Sequence, residues 1–320
     1  MFGNFWFSFN AVMPIFLCCV VGYLLRQLHM VSEAFVADST KVVFYVTIPC
    51  GILRSMLSCD LKETFNPNLI LYTVGAILLT AVVLVLAVPR IIHDRRKAAT
   101  VAVDMFRGNF AILGIPLATS LMGVEGTAPT MTLIPFGMIL YNVLTVLILV
   151  MFSGEEHPEG GVGKAVKDAL VKAAKNPLTI ASFLSLLIGV LALDLPTVLD
   201  NTIDKLADMT TGLALIMLGA QFDFKGCWER MRYSVPTILV RLLAIPLVVV
   251  GGAAALGFRN AELVAVYVFF AAPSAVNCFI LARRLGGDGE IAADAVLTTS
   301  CAAVATLTLG VFLLRTLGWI

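Results

Sequence analysis

The sequence predicts an all-α polytopic membrane protein: ten transmembrane helices arranged as two inverted five-helix repeats. Three observations predict it. Of 320 residues 59% are hydrophobic and 13% charged, with a mean hydropathy of +0.96. The apolar residues fall into ten separate runs. Lys and Arg are distributed unevenly among the connections. Soluble domains carry roughly a quarter charged residues, so this chain could not cover a water-facing surface of its own length, whereas a bilayer requires no such cover. A spanning helix needs about 20 apolar residues, and 320 residues accommodate about ten with short loops. The runs do not alternate as the strands of a membrane β-barrel would.

The expected spans lie at about 5–25, 41–58, 69–89, 100–121, 129–152, 177–195, 203–221, 235–256, 261–283 and 292–315. No basic stretch precedes the first apolar run, Phe5 to Leu25. It is therefore not a typical signal peptide, and its N-terminus should lie outside. With that end outside, fifteen of the 22 basic residues face inward. Arg54, Lys62, Lys205, Arg259 and Arg315 face outward, and Arg107 and Arg241 fall within spans. The excess of inside charge supports ten spans in a cell (inner or plasma) membrane with both termini extracytoplasmic. The longest connection, Ser153 to Asn176, is polar, contains Gly160-Gly161 and ends in a Lys-rich amphipathic stretch, Lys164 to Lys175. It divides the chain into a first half (1–152), a cytoplasmic linker (153–176) and a second half (177–320).

Five spans is an odd number, so a second half that repeats the first must enter from the opposite side. Inverted repeats of this kind are a transporter signature. Landmarks support the repeat. Pro67 and Pro236 open the third and eighth spans, 169 residues apart, and Pro116 and Pro273 interrupt the fourth and ninth, 157 apart. A helical proline removes a donor and clashes with the carbonyl four residues back. Pro116 should free the Ile112 carbonyl and Pro273 that of Phe269, with Gly108 and Gly114 loosening the fourth span further. Unpaired backbone is tolerated at membrane depth only where protein, water or ligand pairs with it. Two matched breaks therefore point to a midplane binding site, whose half-helix N-termini suit an anion.

The candidate site residues follow from that location. Asn109 and Asn277 flank the breaks and can donate to a carboxylate or simply join neighbouring helices; Ser274 and Asn142 carry the same two readings. Asp104 and Arg107, three apart, can pair with each other or sit at the interface with Arg107 snorkelling outward. Arg241, inside the eighth span, can attract an anion or reach headgroups. Asp294 opens the tenth span as a proton carrier or a solvated end. The hydroxyls of that span, Thr298, Thr299, Ser300, Thr306 and Thr308, can line a polar path or bond back to the previous turn.

Other functions find little footing. The seven cysteines include no CxxC pair and read as small apolar residues. The three histidines fall in loops, which leaves no catalytic or metal cluster at membrane depth. No nucleotide, HExxH or GxSxG motif is present, and a net charge of +1 gives no reason to expect nucleic acid. No catalytic residue, metal or cofactor is expected.

Several stretches, taken in order, resemble the auxin efflux carrier family, which includes bacterial malate and malonate transporters and plant auxin carriers. They are Lys41-Val-Val-Phe-Tyr45-Val-Thr47-Ile-Pro49, Arg107-Gly-Asn109 followed by Gly114-Ile-Pro116-Leu, Asn176-Pro177, Leu218-Gly219 and Pro273-Ser-Ala-Val-Asn277 with Ala282. The likeness spans essentially the whole chain and is closest in kind to the bacterial malate or malonate type. It implies a fold similar to bile-acid:sodium symporters. Spans 1, 2, 6 and 7 would form a scaffold that often dimerises, and spans 3–5 and 8–10 a transport domain whose broken fourth and ninth helices cross at Pro116 and Pro273. It implies secondary active transport of a small organic anion by alternating access. Asn109, Gly114, Pro116, Pro273, Ser274 and Asn277 would lie at the site, with Arg107 and Arg241 as nearby cations. The coupling ion, H⁺ or Na⁺, stays open, as does a sodium-coupled symporter of the bile-acid type. Cys50-Gly51 after Pro49 departs from the bulkier residues the family pattern leads one to expect, and the long central loop of the plant carriers is absent.

Overall fold

A computed structural model describes residues 2–57, 66–152, 167, 171, 174, 175, 177–191, 195–222 and 230–320. Among them the chain is helical throughout, without a β-strand. Helix α1 (Phe2–Gln27) is followed by α2 (Glu33–Val42), which continues through a π-turn (Val43–Thr47) into α3 (Ile48–Leu57). Then come α4 (Pro67–Ile91), α5 (Arg95–Phe106), a second π-turn (Phe110–Gly114), α6 (Ile115–Met122) and α7 (Ala128–Phe152). The second half holds α8 (Pro177–Val190), α9 (Thr197–Ala220) and α10 (Met231–Leu239), which passes through a third π-turn (Val240–Ala244) into α11 (Ile245–Ala255). The chain ends with α12 (Asn260–Ala271), α13 (Val276–Arg284) and α14 (Gly289–Thr316). The Lys164–Lys175 stretch and Asn176 lie largely outside the described residues.

Among the described residues, six helical stretches are long and apolar enough to cross a bilayer: Gly3–Gln27, Glu33–Arg54, Pro67–Ile91, Ala128–Phe152, Met231–Ala255 and Gly289–Thr316. The second begins eight residues before its expected start. Ser32 accepts the Phe35 N–H at 3.1 Å and starts the helix at Glu33, a capping signal that outweighs the local polarity.

Burial separates two kinds of helix. On α4 one stripe is buried (Leu69, Thr73, Ile77, Ala81, Leu84, Val88), while Leu71, Leu79, Val82 and Leu86 are exposed. A helix apolar on its exposed face suits hydrocarbon rather than water. In contrast, α5 is buried at every position from Ala98 to Phe106, and α12 from Leu263 to Ala271. At 12 residues each, these two are about 18 Å long, too short for a bilayer core of about 30 Å. Each is completed by the segment beyond an interruption.

The three π-turns share a cause. Each precedes an Ile-Pro pair: Ile48-Pro49, Ile115-Pro116 and Ile245-Pro246. The isoleucine N–H reaches back five residues, to the carbonyls of Val43, Phe110 and Val240 respectively. The wider turn relieves the clash that proline would make with the carbonyl four residues back. The expectation that Pro116 breaks its helix is thereby corrected. The chain passes Pro116 as helix, and the interruption lies at Arg107–Asn109.

Helices α1 and α9 pack main chain to main chain. A Cβ on Gly22 would land on the Ile216 carbonyl, and one on Gly219 on the Cys19 carbonyl. Small residues permit this approach. Free cysteines 18, 19, 50, 278 and 301 sit along the helices; Cys59 and Cys227 are outside the described residues.

Candidate functional site

The two interrupted helices meet at their interruptions. Pro273 has no N–H to continue α12, which ends at Ala271, and residues Ala272 to Ala275 run extended before α13. Opposite them, Arg107 leaves α5 with an extended backbone, and Asn109 caps the next turn by accepting the Ile112 N–H on Oδ1 at 3.4 Å. The two strips pair antiparallel through Gly108 and Ser274. The Asn109 N–H donates to the Pro273 carbonyl at 2.7 Å, and the Ala275 N–H to the Arg107 carbonyl at 3.1 Å. Backbone groups freed by one break are thus satisfied by the other, the condition for non-helical chain at membrane depth.

Side chains lock the pairing. Ser274 Oγ donates to the Asp104 carbonyl at 2.7 Å, and the Ser274 N–H to Thr299 Oγ1 at 3.0 Å. Arg241, fully buried, donates to three carbonyls at 2.8 Å: Phe106 at the end of α5, and Phe269 and Ala272 at the end of α12. The Phe269 carbonyl is the one Pro273 was expected to free. These carbonyls are the negative ends of two helix dipoles, where a cation is favoured. Gly108 makes the approach possible, because a Cβ there would collide with the Arg241 guanidinium.

Arg107 turns the other way. It does not pair with Asp104, because α5 ends at Phe106 and the helical spacing between the two is lost. Its guanidinium donates to Tyr141 O (3.3 Å), Thr145 Oγ1 (3.1 Å) and Asn142 Oδ1 (2.8 Å) on α7. With Asp104, Arg107 and Arg241 all buried, none reaches an interface. Phe110 and Phe269 stack at 4.2 Å across the junction, and Tyr141 packs on Phe106 and Phe110.

Donors in this region remain unused, the Tyr141 hydroxyl among them. The Asn109 amide nitrogen is also buried, with no hydrogen-bond partner among the described residues. The junction therefore offers a buried amide, with Arg107 and the first turns of two helices close by in sequence, a donor set suited to a carboxylate.

Of the residues singled out from sequence, Arg107, Asn109, Pro273, Ser274 and Arg241 converge on the junction. Gly114 and Pro116 lie beyond the π-turn, with Gly114 close to the Val268 carbonyl of α12. Asn277 is the second residue of α13; its side chain lies outside what the structure describes. Asp294 is bonded to Arg230. Thr298, Thr299, Thr306 and Thr308 bond back to the previous turn. Thr299 also holds Ser274, and Thr145 holds Arg107; sequence reasoning missed both roles. The signal for Thr299 was a hydroxyl on the buried face of the last helix. Among the described residues no three His, Cys, Asp or Glu side chains are grouped to hold a metal ion.

The pattern of the membrane transport protein family matches residues 7–312. An "Uncharacterized transporter" of Methanothermobacter thermautotrophicus is 24% identical over 308 residues, covering 94% of this chain and 97% of the relative. A "Putative malonate transporter" of Rhizobium meliloti is 24% identical over 318 residues, covering 96% and 95%. With its apolar helices and two paired interruptions, this multi-pass chain belongs to the membrane transport protein family, the family of the auxin efflux carriers.

Proposed function

We propose that the protein is a secondary active carrier of a small organic anion, a carboxylate such as malonate, malate or an auxin-like acid, working by alternating access in the cell membrane. The observation that carries this reading is the unpartnered, buried Asn109 amide beside two paired helix breaks. Interior donors rarely go unused, and one kept open at such a break is suited to a ligand. The name of the Rhizobium relative, covering nearly the same length, points to the same substrate class. In this reading the chain has ten spans in two inverted five-helix halves, both termini outside. Spans 1, 2, 6 and 7 form a dimerising scaffold and the interrupted helices cross within the moving part. Substrate would be held by Asn109, Ser274 and Asn277, with Arg107 supplying charge and Arg241 holding the crossing together.

Uptake of radiolabelled malonate, malate and indole-3-acetate into proteoliposomes, with Na⁺ and pH gradients imposed separately, tests the reading. Asn109→Ala should lower uptake by about tenfold to a hundredfold, the loss of a hydrogen bond to a charged group. Thermal stability should fall only by the lost cap on the Ile112 N–H, about 1 kcal/mol, since the amide nitrogen itself has no partner to lose among the described residues. Silence of the folded wild type across the whole panel would sink the carrier assignment.

A further inference from the structure

Asp104 stands apart from the other charged groups around the junction. It is fully buried one turn before the break, and neither carboxyl oxygen has a hydrogen-bond partner among the described residues. An ionised carboxylate without donors in an apolar interior is strongly disfavoured, and such a group takes up a proton instead. Its polar neighbours are few. Cys278 on α13 and the Asp288 carboxyl at the cap of α14 act on it electrostatically, and Asp288 Oδ1 accepts the Glu290 and Ile291 N–H groups. Arg107 on its own chain segment points away to α7, and Arg241 is committed to carbonyls.

A polar row leads from Asp104 to the protein surface. Asp104, Thr100 and Arg96 are spaced four apart along one face of α5. Thr100 Oγ1 accepts the Asp288 N–H at 2.8 Å, and Arg96 Nε donates to the Gly287 carbonyl at 3.2 Å. Asp288 is half-buried, and Glu290 beside it is exposed. The carboxyl thus sits at the inner end of a row whose outer end meets water.

Charge gives this placement a use. The partners of Arg107 and Arg241 are carbonyl, hydroxyl and amide oxygens, none of them anionic. With Asp104 neutral, the junction carries two buried positive charges and favours an anion. With Asp104 ionised, the protein supplies that negative charge itself.

We propose that Asp104 is the proton-coupling group: it holds a proton while an organic anion occupies the junction and releases it toward the Asp288 end of α5 when the anion leaves. The step is a proton transfer from a carboxylic acid to water, leaving a carboxylate, with no other bond made or broken. Anion and proton then favour each other's binding by the same factor. This inference rests on the carrier reading and names its coupling ion.

The test uses the full chain in proteoliposomes containing a pH-indicating dye, with malonate as the probe. In the wild type, malonate entry should acidify the lumen, and malonate affinity should fall by up to about tenfold per pH unit as Asp104 ionises. Asp104→Asn should still bind malonate, but with an affinity flat against pH and with accumulation driven by a pH gradient reduced at least about tenfold. A folded Asp104→Asn protein that keeps the wild-type pH dependence overturns the proposal, as does wild-type malonate transport that follows Na⁺ and moves no protons. If the variant does not fold, the infrared spectrum of the wild type decides. A protonated-carboxyl stretch at neutral pH that weakens as the medium is made alkaline supports the proposal, and its absence overturns it. A wild type that moves neither malonate nor any other acid fails the carrier reading and this proposal with it, whereas malonate transport without proton movement fails this proposal alone.

Discussion

The two interruptions solve one problem by different means. The second is written in main chain: Pro273 stops α12, and the strip contributes the Ala272 and Pro273 carbonyls and the Ala275 N–H, with Ser274 as its bonded side chain. The first has no proline at the break. It stops α5 with Arg107-Gly108-Asn109, a residue that finds its partners on α7, a residue without a Cβ, and a residue that caps the next turn while leaving an amide open. One interruption acts as a frame and the other carries the chemistry. Arg241, from neither, joins their negative helix ends.

Removing that join should have the largest effect. Arg241→Met strips three buried carbonyls of a charged donor, and hydrogen bonds to charged groups contribute about 1.5–3 kcal/mol each. We expect a stability loss of about 3–5 kcal/mol, in the range for breaking a buried charged network, read as a drop in unfolding temperature in detergent. A near-silent Arg241→Met would mean that the two strips pair without help. Next comes Gly108→Ala, whose methyl must displace the same guanidinium. Overpacking costs about 1–3 kcal/mol, so a smaller fall in unfolding temperature should accompany a clear loss of uptake. The smallest effect belongs to Pro116→Ala. The π-turn already absorbs this proline, so stability should change by less than about 1 kcal/mol. Pro273→Ala should lose far more uptake, because an alanine there lets α12 run on through the strip. Equal effects of the two proline substitutions would erase the distinction between the interruptions.

That distinction also marks how far the sequence could be read. The spans came from hydropathy, and Pro273 was legible because it lies where its helix stops. Pro116 was not, since a helix accommodates proline either by breaking or by widening one turn, and the local residues of both outcomes are alike. The recurrence of Ile-Pro at 48–49, 115–116 and 245–246 was a usable sign of the second outcome. The supposed Asp104–Arg107 pair assumed that α5 continues past Phe106; once it ends, a spacing of three no longer brings side chains together. Arg241 was visible as a charge at depth, but its role depends on carbonyls of residues 106, 269 and 272, which only the folded chain brings to one place. Thr299 looked like its neighbouring hydroxyls because bonding back to the previous turn is what most of them do.

The glycine contact between α1 and α9 bears on how the protein meets its solvent. Because main chain rests on main chain at Gly22 and Gly219, the separation of these helices is gauged by atoms every residue possesses. The outward residues of α1, Leu17, Val20, Val21 and Leu24, take no part in setting it. They face away from the described helices. That face can drift among apolar side chains, to suit a thicker or more fluid bilayer, without disturbing the distance on which the interior depends.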